Sequence, residues 1–492
     1  MYRTTKIILM FLVIAGLSAC DLLENQQPQQ SLPAEGGLET LADFESALTG
    51  AYDNVQELAG GTNSGQLAFA NDIIADNTVW TGSFPTYVQI AEQQMAPNNG
   101  SIADQWDGNY QAINAANIII NGMGELEADQ AAKDNIAGQA YFIRALEYYY
   151  LVQYFAKPWG ATADNSHPGV PIQLEAVTSQ DDFQNPSRAS VSAVYDQIIK
   201  DLKKAEEMIT QAEPNKATSG AATALLARIA LIQDRYGDAA DLAGQVIPNY
   251  TLSDDVTTYF REEGSDESIF EIQHTTQDVP DPANTSITAV YNAKTRNDIQ
   301  ISQVFVDALD RVVTDAQKAA LDGVGQEAVD SRITQLLTGT VAETSTTTKY
   351  EDIQNSADNV PVLRLSEMIL TRAEALAEEN GVNQESIDLL NKIRTRAINV
   401  ETEDGGAGDQ SLIEYTLADF QGKEELVDAI LLERRVELAF EGHRKTDLQR
   451  RQMDVKGTAW DANELVFPIP TSQMDSNENI CQNPGYGGRE CE

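Results

Sequence analysis

Histidine is scarce in this chain. Its three copies, His167, His274 and His443, have no second histidine or cysteine at helical spacing. A zinc site is therefore not expected, and no cofactor is. The sequence also lacks a Gly-rich phosphate loop and a strand–turn–helix nucleophile elbow. Positive charge is short as well: 33 basic residues face 76 acidic ones, for a formal net charge of −43. Such a surface repels phosphate backbones, which argues against nucleic acid as a partner. Neutral ligands remain admissible, and neutral sugars are the obvious class. Only one stretch, at the N-terminus, is long and apolar, and no other approaches the 18 residues of a membrane span.

That N-terminal stretch has three parts. Arg3 and Lys6 form a positive region, Ile7 to Leu17 is apolar apart from Gly16, and Leu17-Ser18-Ala19-Cys20 follows. The apolar part suits a signal sequence and is too short to span a bilayer. Small residues directly before a cysteine look like a lipobox, in which the Cys20 thiol receives diacylglycerol. The expected layout is a signal peptide over 1–19, an anchor and tether over 20–35 and a binding domain over 36–492. Glu24 to Ser31 is a polar run that reads as the tether. Removing Arg3 and Lys6 with the signal leaves a mature charge of −45. The remaining cysteines, Cys481 and Cys491, flank Pro484, Gly485, Gly487 and Gly488. In an oxidising compartment they are expected to pair and staple a small C-terminal loop.

Helical periodicity dominates the rest. Trp106, Tyr110, Ile113, Asn117 and Ile120 recur at spacings of three and four. Ile136 to Phe155 is apolar nearly all round, as in a helix buried among others. Ser190 is an expected N-cap for the next helix. Ala221 to Leu231, a break at Asp234 to Asp238, and Ala239 to Ile247 read as a helical hairpin with alanines at the contact, similar to a tetratricopeptide unit. Leu363 to Ala377 and Gln384 to Ala397 read as a second pair. Residues 60–100 and 250–350 read as loop-rich inserts, with a strand-like run over 268–273. The expected fold is mainly α: a divergent tetratricopeptide-like helical-hairpin scaffold with loop-rich inserts and short strands.

Six segments carry a resemblance. They are Trp106…Tyr110…Ile113…Asn117, then Ala140 to Tyr150 around Arg144, then Gly169-Val170-Pro171-Ile172. Next come Val360 to Glu367 with Arg364, leading into Ala373-Glu374-Ala375, and Leu390 to Ala397 with Arg394 and Arg396. Last is Leu432 to Leu448, followed by Phe467-Pro468-Ile469-Pro470. Together with the lipobox, their order resembles the SusD/RagB family of outer-membrane nutrient-binding lipoproteins over nearly the whole mature chain. The resemblance implies a non-catalytic lid that binds glycans at the cell surface and passes them to a TonB-dependent transporter of the SusC type. It implies an outer-membrane address through the lipid anchor, and Asp21 and Glu24 loosely fit surface export. A surface enzyme and a peptide- or protein-binding adhesin stand as alternatives. Seventy-six acidic residues offer many carboxylate pairs, and nothing singles one out for catalysis.

Glu433, Glu437 and Glu441 share one helical face at i, i+4 spacing and would repel unless basic groups answer them. Arg434, Arg435 and Arg444 are the nearby candidates, with Asp447 completing an expected partly buried ion network that locks the C-terminal helices. For the sugar itself, aromatic rings can stack on C–H faces while short polar groups meet the hydroxyls. Asn71 to Tyr87 is the first candidate loop, with Asp72, Asp76, Asn77, Trp80, Phe84 and Tyr87. The second is Asn284 to Asn297, with Tyr291, Lys294 and Arg296. Trp106, Trp159 and Trp460 read as structural.

Overall fold

The computed structural model describes residues 38–61, 67–182, 184–213, 215–262, 264–276, 286–338 and 345–491. The signal peptide, Cys20, the tether and Asn284 lie outside the described residues.

Five long helices come first: α1 (Leu41–Gly61), then α2 (Leu67–Ile74) and α3 (Pro85–Ala91) as short pieces, α4 (Gly100–Gly122), α5 (Gln130–Phe155), α6 (Val191–Met208) and α7 (Ser219–Ile232). Their starts follow local chemistry. The side chains of Asn99, Asp129, Ser190 and Thr218 each accept the backbone N–H three residues on, opening α4 to α7. Helix α8 (Tyr236–Val246) completes a hairpin with α7. Ala224, Ala227, Ala230, Ala239 and Ala243 are fully buried there, so the two backbones approach closely. Strand β1 (Thr78–Trp80) lies between α2 and α3.

The chain then leaves the scaffold and returns. Strand β2 (Ser268–Ile272), helix α9 (Ile287–Tyr291), strand β3 (Ile299–Ile301), helices α10 (Gln303–Val312) and α11 (Asp315–Asp322), strand β4 (Gln326–Asp330), helix α12 (Ser331–Leu336) and strand β5 (Val360–Arg364) form the insert. The scaffold resumes with α13 (Leu365–Asn380) and α14 (Gln384–Ala397), then β6 (Ile398–Thr402), α15 (Lys423–Glu437) and α16 (Arg444–Arg450). Helices neighbour one another in the order α1, α4, α5, α6, α7, α8, α13, α14, with α15 also against α13. The second hairpin therefore docks on the first although about a hundred residues separate them. The sequence-based scaffold is the observed one.

Two boundaries differ from expectation. The helix expected from Leu363 begins at Leu365, because Val360 to Arg364 is a strand paired antiparallel with β2. Pro361 lacks a helical N–H and disfavours helix at Val360, while Val360 and Val362 suit a buried strand. Residues 60–100 are also more regular than expected. Phe69, Ile73 and Ile74 are buried from α2, and Pro85 sits at the first turn of α3, where its missing N–H does no harm. Two further two-stranded sheets join β1 to β3 and β4 to β6.

At the C-terminus, Cys481 and Cys491 are joined in a disulfide with Cα atoms 5.0 Å apart. Gly485, Gly487 and Gly488 between them take positive φ angles, a region open to glycine. The adjacent Asn483 donates to the carbonyls of Phe155 and Phe467, so the stapled loop is fixed to the end of α5. Reduction is expected to destabilise this segment by about 3 kcal/mol on a loop-closure account. Thermal melts with and without reductant would check it; identical melts would deny the staple a role.

Candidate functional site

The pairing of β1 with β3, Thr78 to Ile301 and Trp80 to Ile299, brings together two stretches that the sequence offered as separate candidates. Trp80 comes from the first and is half-buried, edge-on to Tyr87 with ring centroids 5.2 Å apart. Phe84, 40% exposed, caps the start of α3. From the second stretch, the Arg296 guanidinium lies 4.1 Å over the Phe84 ring, a cation–π stack. Its Nε donates to Asp298 at 2.6 Å. Burial pushes the Asp298 carboxyl above its usual range, and Arg296 pulls it back. Gly82 closes the arrangement: a Cβ there would come within 2.6 Å of both the Trp80 ring and the Asp298 carboxylate. Thr81 and Ser83 on either side of it are exposed. The result is a surface of two aromatic rings and a flat cation, edged by hydroxyls.

Four of the expected ligand residues are not on that surface. Asp72 is 1% exposed and accepts from the Tyr291 hydroxyl and the Gly442 N–H. Tyr291, likewise buried, packs on Tyr350 and Phe440. Asn77 is buried and accepts from Arg435 Nε at 2.7 Å. Tyr87 is buried beneath Trp80, a pedestal and not a platform. The reason is helical: Asp72 shares α2 with Phe69 and Ile73, whose burial carries it inward. Phe69 and Ile73 at i, i+4 were the available signal.

The ion network reaches the same loop through Asp76, and its partners also differ from expectation. Glu433 meets Arg332 (2.5 Å) and Arg394 (3.1 Å). Glu437 meets Arg364 (2.8 Å) and Arg396 (2.5 Å). Glu441 meets Lys349 (2.6 Å) and Arg364 (2.7 Å). These cations arrive from α12, the strand β5, helix α14 and the segment before β5. Arg434 instead binds Asp447 (3.0 Å) and approaches Glu367 (3.5 Å). Arg435 and Arg444 answer none of the three glutamates. They reach Asp76 in the loop before β1, Arg444 at 2.6 Å. The network thus ties α15 and α16 to the loop that presents Trp80. Burial alone would raise Glu437, yet Arg396, Arg364 and Arg332 hold it well below the carboxylate range.

The histidines are structural in placement. His167 contacts the Thr162 hydroxyl and the Lys157 carbonyl. His443 is half-buried, and desolvation lowers it to about 4, so it is neutral at pH 7. Among the described residues no group of three or more His, Cys, Asp or Glu is placed to hold a metal. None of the described helices is long and apolar enough to cross a membrane. Trp106 is in the core, edge-on to Phe155, and Trp159 packs edge-on to Tyr195.

The chain is similar to known proteins along its length. Residues 21–231 match a SusD-like family described as starch-binding and associating with the outer membrane, and residues 325–464 match the SusD family. SusD-like protein P2 of Formosa agariphila is 27% identical, with 99% of each chain covered. The starch-binding protein SusD of Bacteroides thetaiotaomicron is 29% identical over 26% of this chain and 22% of its own. Among solved structures, a sugar-binding protein from Bacteroides vulgatus, described as putative, superposes with a TM-score of 0.74 at 26% identity. It covers 92% of this chain and 100% of that one. A laminarin-binding SusD-like protein shares the fold, with a TM-score of 0.67 at 22% identity, covering 91% of this chain and 100% of its own. The chain belongs to the SusD/RagB family.

Proposed function

We propose that this protein binds a neutral oligosaccharide or polysaccharide on the face made by Trp80, Phe84 and Arg296, without transforming it. It hands the glycan to a SusC-like TonB-dependent transporter. Diacylglycerol on Cys20 anchors it to the outer membrane, facing outward, with residues 20–35 as the tether. The observation that carries this reading is the convergence of the two loops through the β1–β3 pairing. An exposed ring and a stacked guanidinium suit the C–H face and hydroxyl rim of a sugar, and the buried ion pairs behind them keep the surface in shape before ligand arrives. Glycosidic cleavage by the usual route needs two carboxylates flanking the bond. Here Asp298 is held by Arg296. The starch- and laminarin-binding relatives fit the same ligand class.

Native electrophoresis through gels holding individual polysaccharides tests the reading. At least one neutral polysaccharide should retard the wild type. Trp80→Ala and Arg296→Ala should each lose roughly 2 kcal/mol, about 30-fold in affinity, as buried aromatic and arginine anchors do. Retardation of both variants equal to wild type would remove the site, and turnover of the polysaccharide would favour an enzyme.

A further inference from the structure

A second concave site lies on the same side of helix α4. The pocket, about 320 Å³, is lined by Tyr110 and Trp106 together with Gln111, Gln173, Gln184 and Asn477. A volume of that size falls at the small end of ligand sites. Its walls are braced: the Tyr110 hydroxyl donates to the Pro171 carbonyl at 2.8 Å, and Asn477 donates to the Pro186 carbonyl at 2.9 Å. By contrast Gln111 and Gln184 are exposed, and among the described residues their side chains make no hydrogen bond. One group with a formal charge lines it, Asp107, which accepts from Gln473 at 3.0 Å. Carboxamides in number, two aromatic residues and a lone negative charge fit a ligand rich in hydroxyls and without negative charge.

Its position gives it a use. Ser101, Asp104, Asp107, Gln111 and Asn114 recur every three or four residues, so they share one face of α4. Ser101 meets the Tyr87 hydroxyl under Trp80, whereas Asp107, Gln111 and Asn114 line the pocket. At 1.5 Å per residue, Ser101 and Gln111 are about 15 Å apart along the axis.

We propose that this pocket is a second carbohydrate subsite, which takes one neutral sugar unit with its C–H face on Tyr110 and its hydroxyls on Gln111 and Gln184. The inference rests on the glycan-binding reading above. A glycan long enough to reach from the Trp80 face would engage both sites, and the second contact would act at the effective concentration set by the first.

Saturation-transfer NMR on the full mature protein with glucose, galactose, mannose, xylose and fucose, each alone, tests the proposal. At least one sugar should give a saturable signal with the wild type and with Arg296→Ala. The Gln111→Ala/Gln184→Ala double variant, altered only at exposed side chains, should weaken it about fivefold or more, as loss of two modest hydrogen bonds would. Three results overturn the pocket: no signal from any sugar, a signal unchanged in the double variant, or one lost in Arg296→Ala alone. Polysaccharide retardation in gels is read separately. Retardation lost in Trp80→Ala, together with any of those three results, would leave the glycan-binding role standing and remove the subsite.

Discussion

Arg364→Ala is expected to be the most destabilising single substitution at the ion network, lowering unfolding free energy by about 5 kcal/mol or more. Breaking one buried ion pair costs about 3–5 kcal/mol, because the surviving charge is left in low dielectric without an answer. Arg364 is 3% exposed and answers three carboxylates: Glu267 at 2.8 Å, Glu437 at 2.8 Å and Glu441 at 2.7 Å. It also donates to the Glu437 carbonyl. A typical domain holds only about 5–15 kcal/mol in total, so the variant should be largely unfolded or poorly recovered. Lys204→Ala is the control. Its pair with Glu207 is solvent-exposed, and such pairs contribute about 0–1 kcal/mol. Urea melts of the three proteins, followed by circular dichroism, would decide. An Arg364→Ala midpoint equal to wild type would mean that the glutamates relax to neutral or reach water, and the network would lose its structural role.

The network also shows how far the sequence reaches. The i, i+4 spacing of Glu433, Glu437 and Glu441 demanded cations, and that inference needed only helical geometry. It pointed to the nearest arginines in sequence, because local spacing sees nothing else. Arg332, Arg364, Arg394 and Arg396 are brought in by the β4–β6 and β2–β5 pairings, which depend on the return of the chain after a long insert, and Lys349 comes from the segment before β5. The same limit applied to the candidate ligand site. Both loops stood out by composition, yet only the β1–β3 register places Arg296 over Phe84. Within the first loop, Asp72 and Asn77 looked like sugar-facing polar groups because short polar residues are common in binding loops. The apolar pattern of α2 overrode that reading for Asp72, and Asn77, beyond the helix, is buried against the Arg435 guanidinium. The hairpins of alanine-rich helices were legible for the opposite reason: their signal lies within a single turn-sized period.

Asp72 is expected to give the protein a pH-dependent weakness that Asp72→Asn removes. Its carboxyl is buried, its Oδ1 has no hydrogen-bond partner among the described residues, and Oδ2 accepts from Tyr291 and Gly442. Burial raises it to about 7 from 3.8, against the Tyr291 and Gly442 hydrogen bonds; Glu441 adds to the rise and Lys349 opposes it. Below pH 4 both folded and unfolded chains hold this proton, and the residue has no effect on stability. Between pH 4 and 7 the folded chain keeps the proton that the unfolded chain has lost, so stability falls as pH rises. Above pH 7 the full penalty is present, with a ceiling of roughly 4 kcal/mol for a shift of this size. Asparagine retains an acceptor for Tyr291 and Gly442 and carries no charge. Its amide protons bring a cost of about 1–3 kcal/mol if they stay unpaired, but that cost does not vary with pH. The stability of Asp72→Asn relative to wild type should therefore climb by a few kcal/mol between pH 4 and 8. Urea melts across that range measure the slope directly. Parallel curves would show that Asp72 stays ionised throughout, and the carboxyl would then tie Tyr291 to the Gly442 turn at no electrostatic cost.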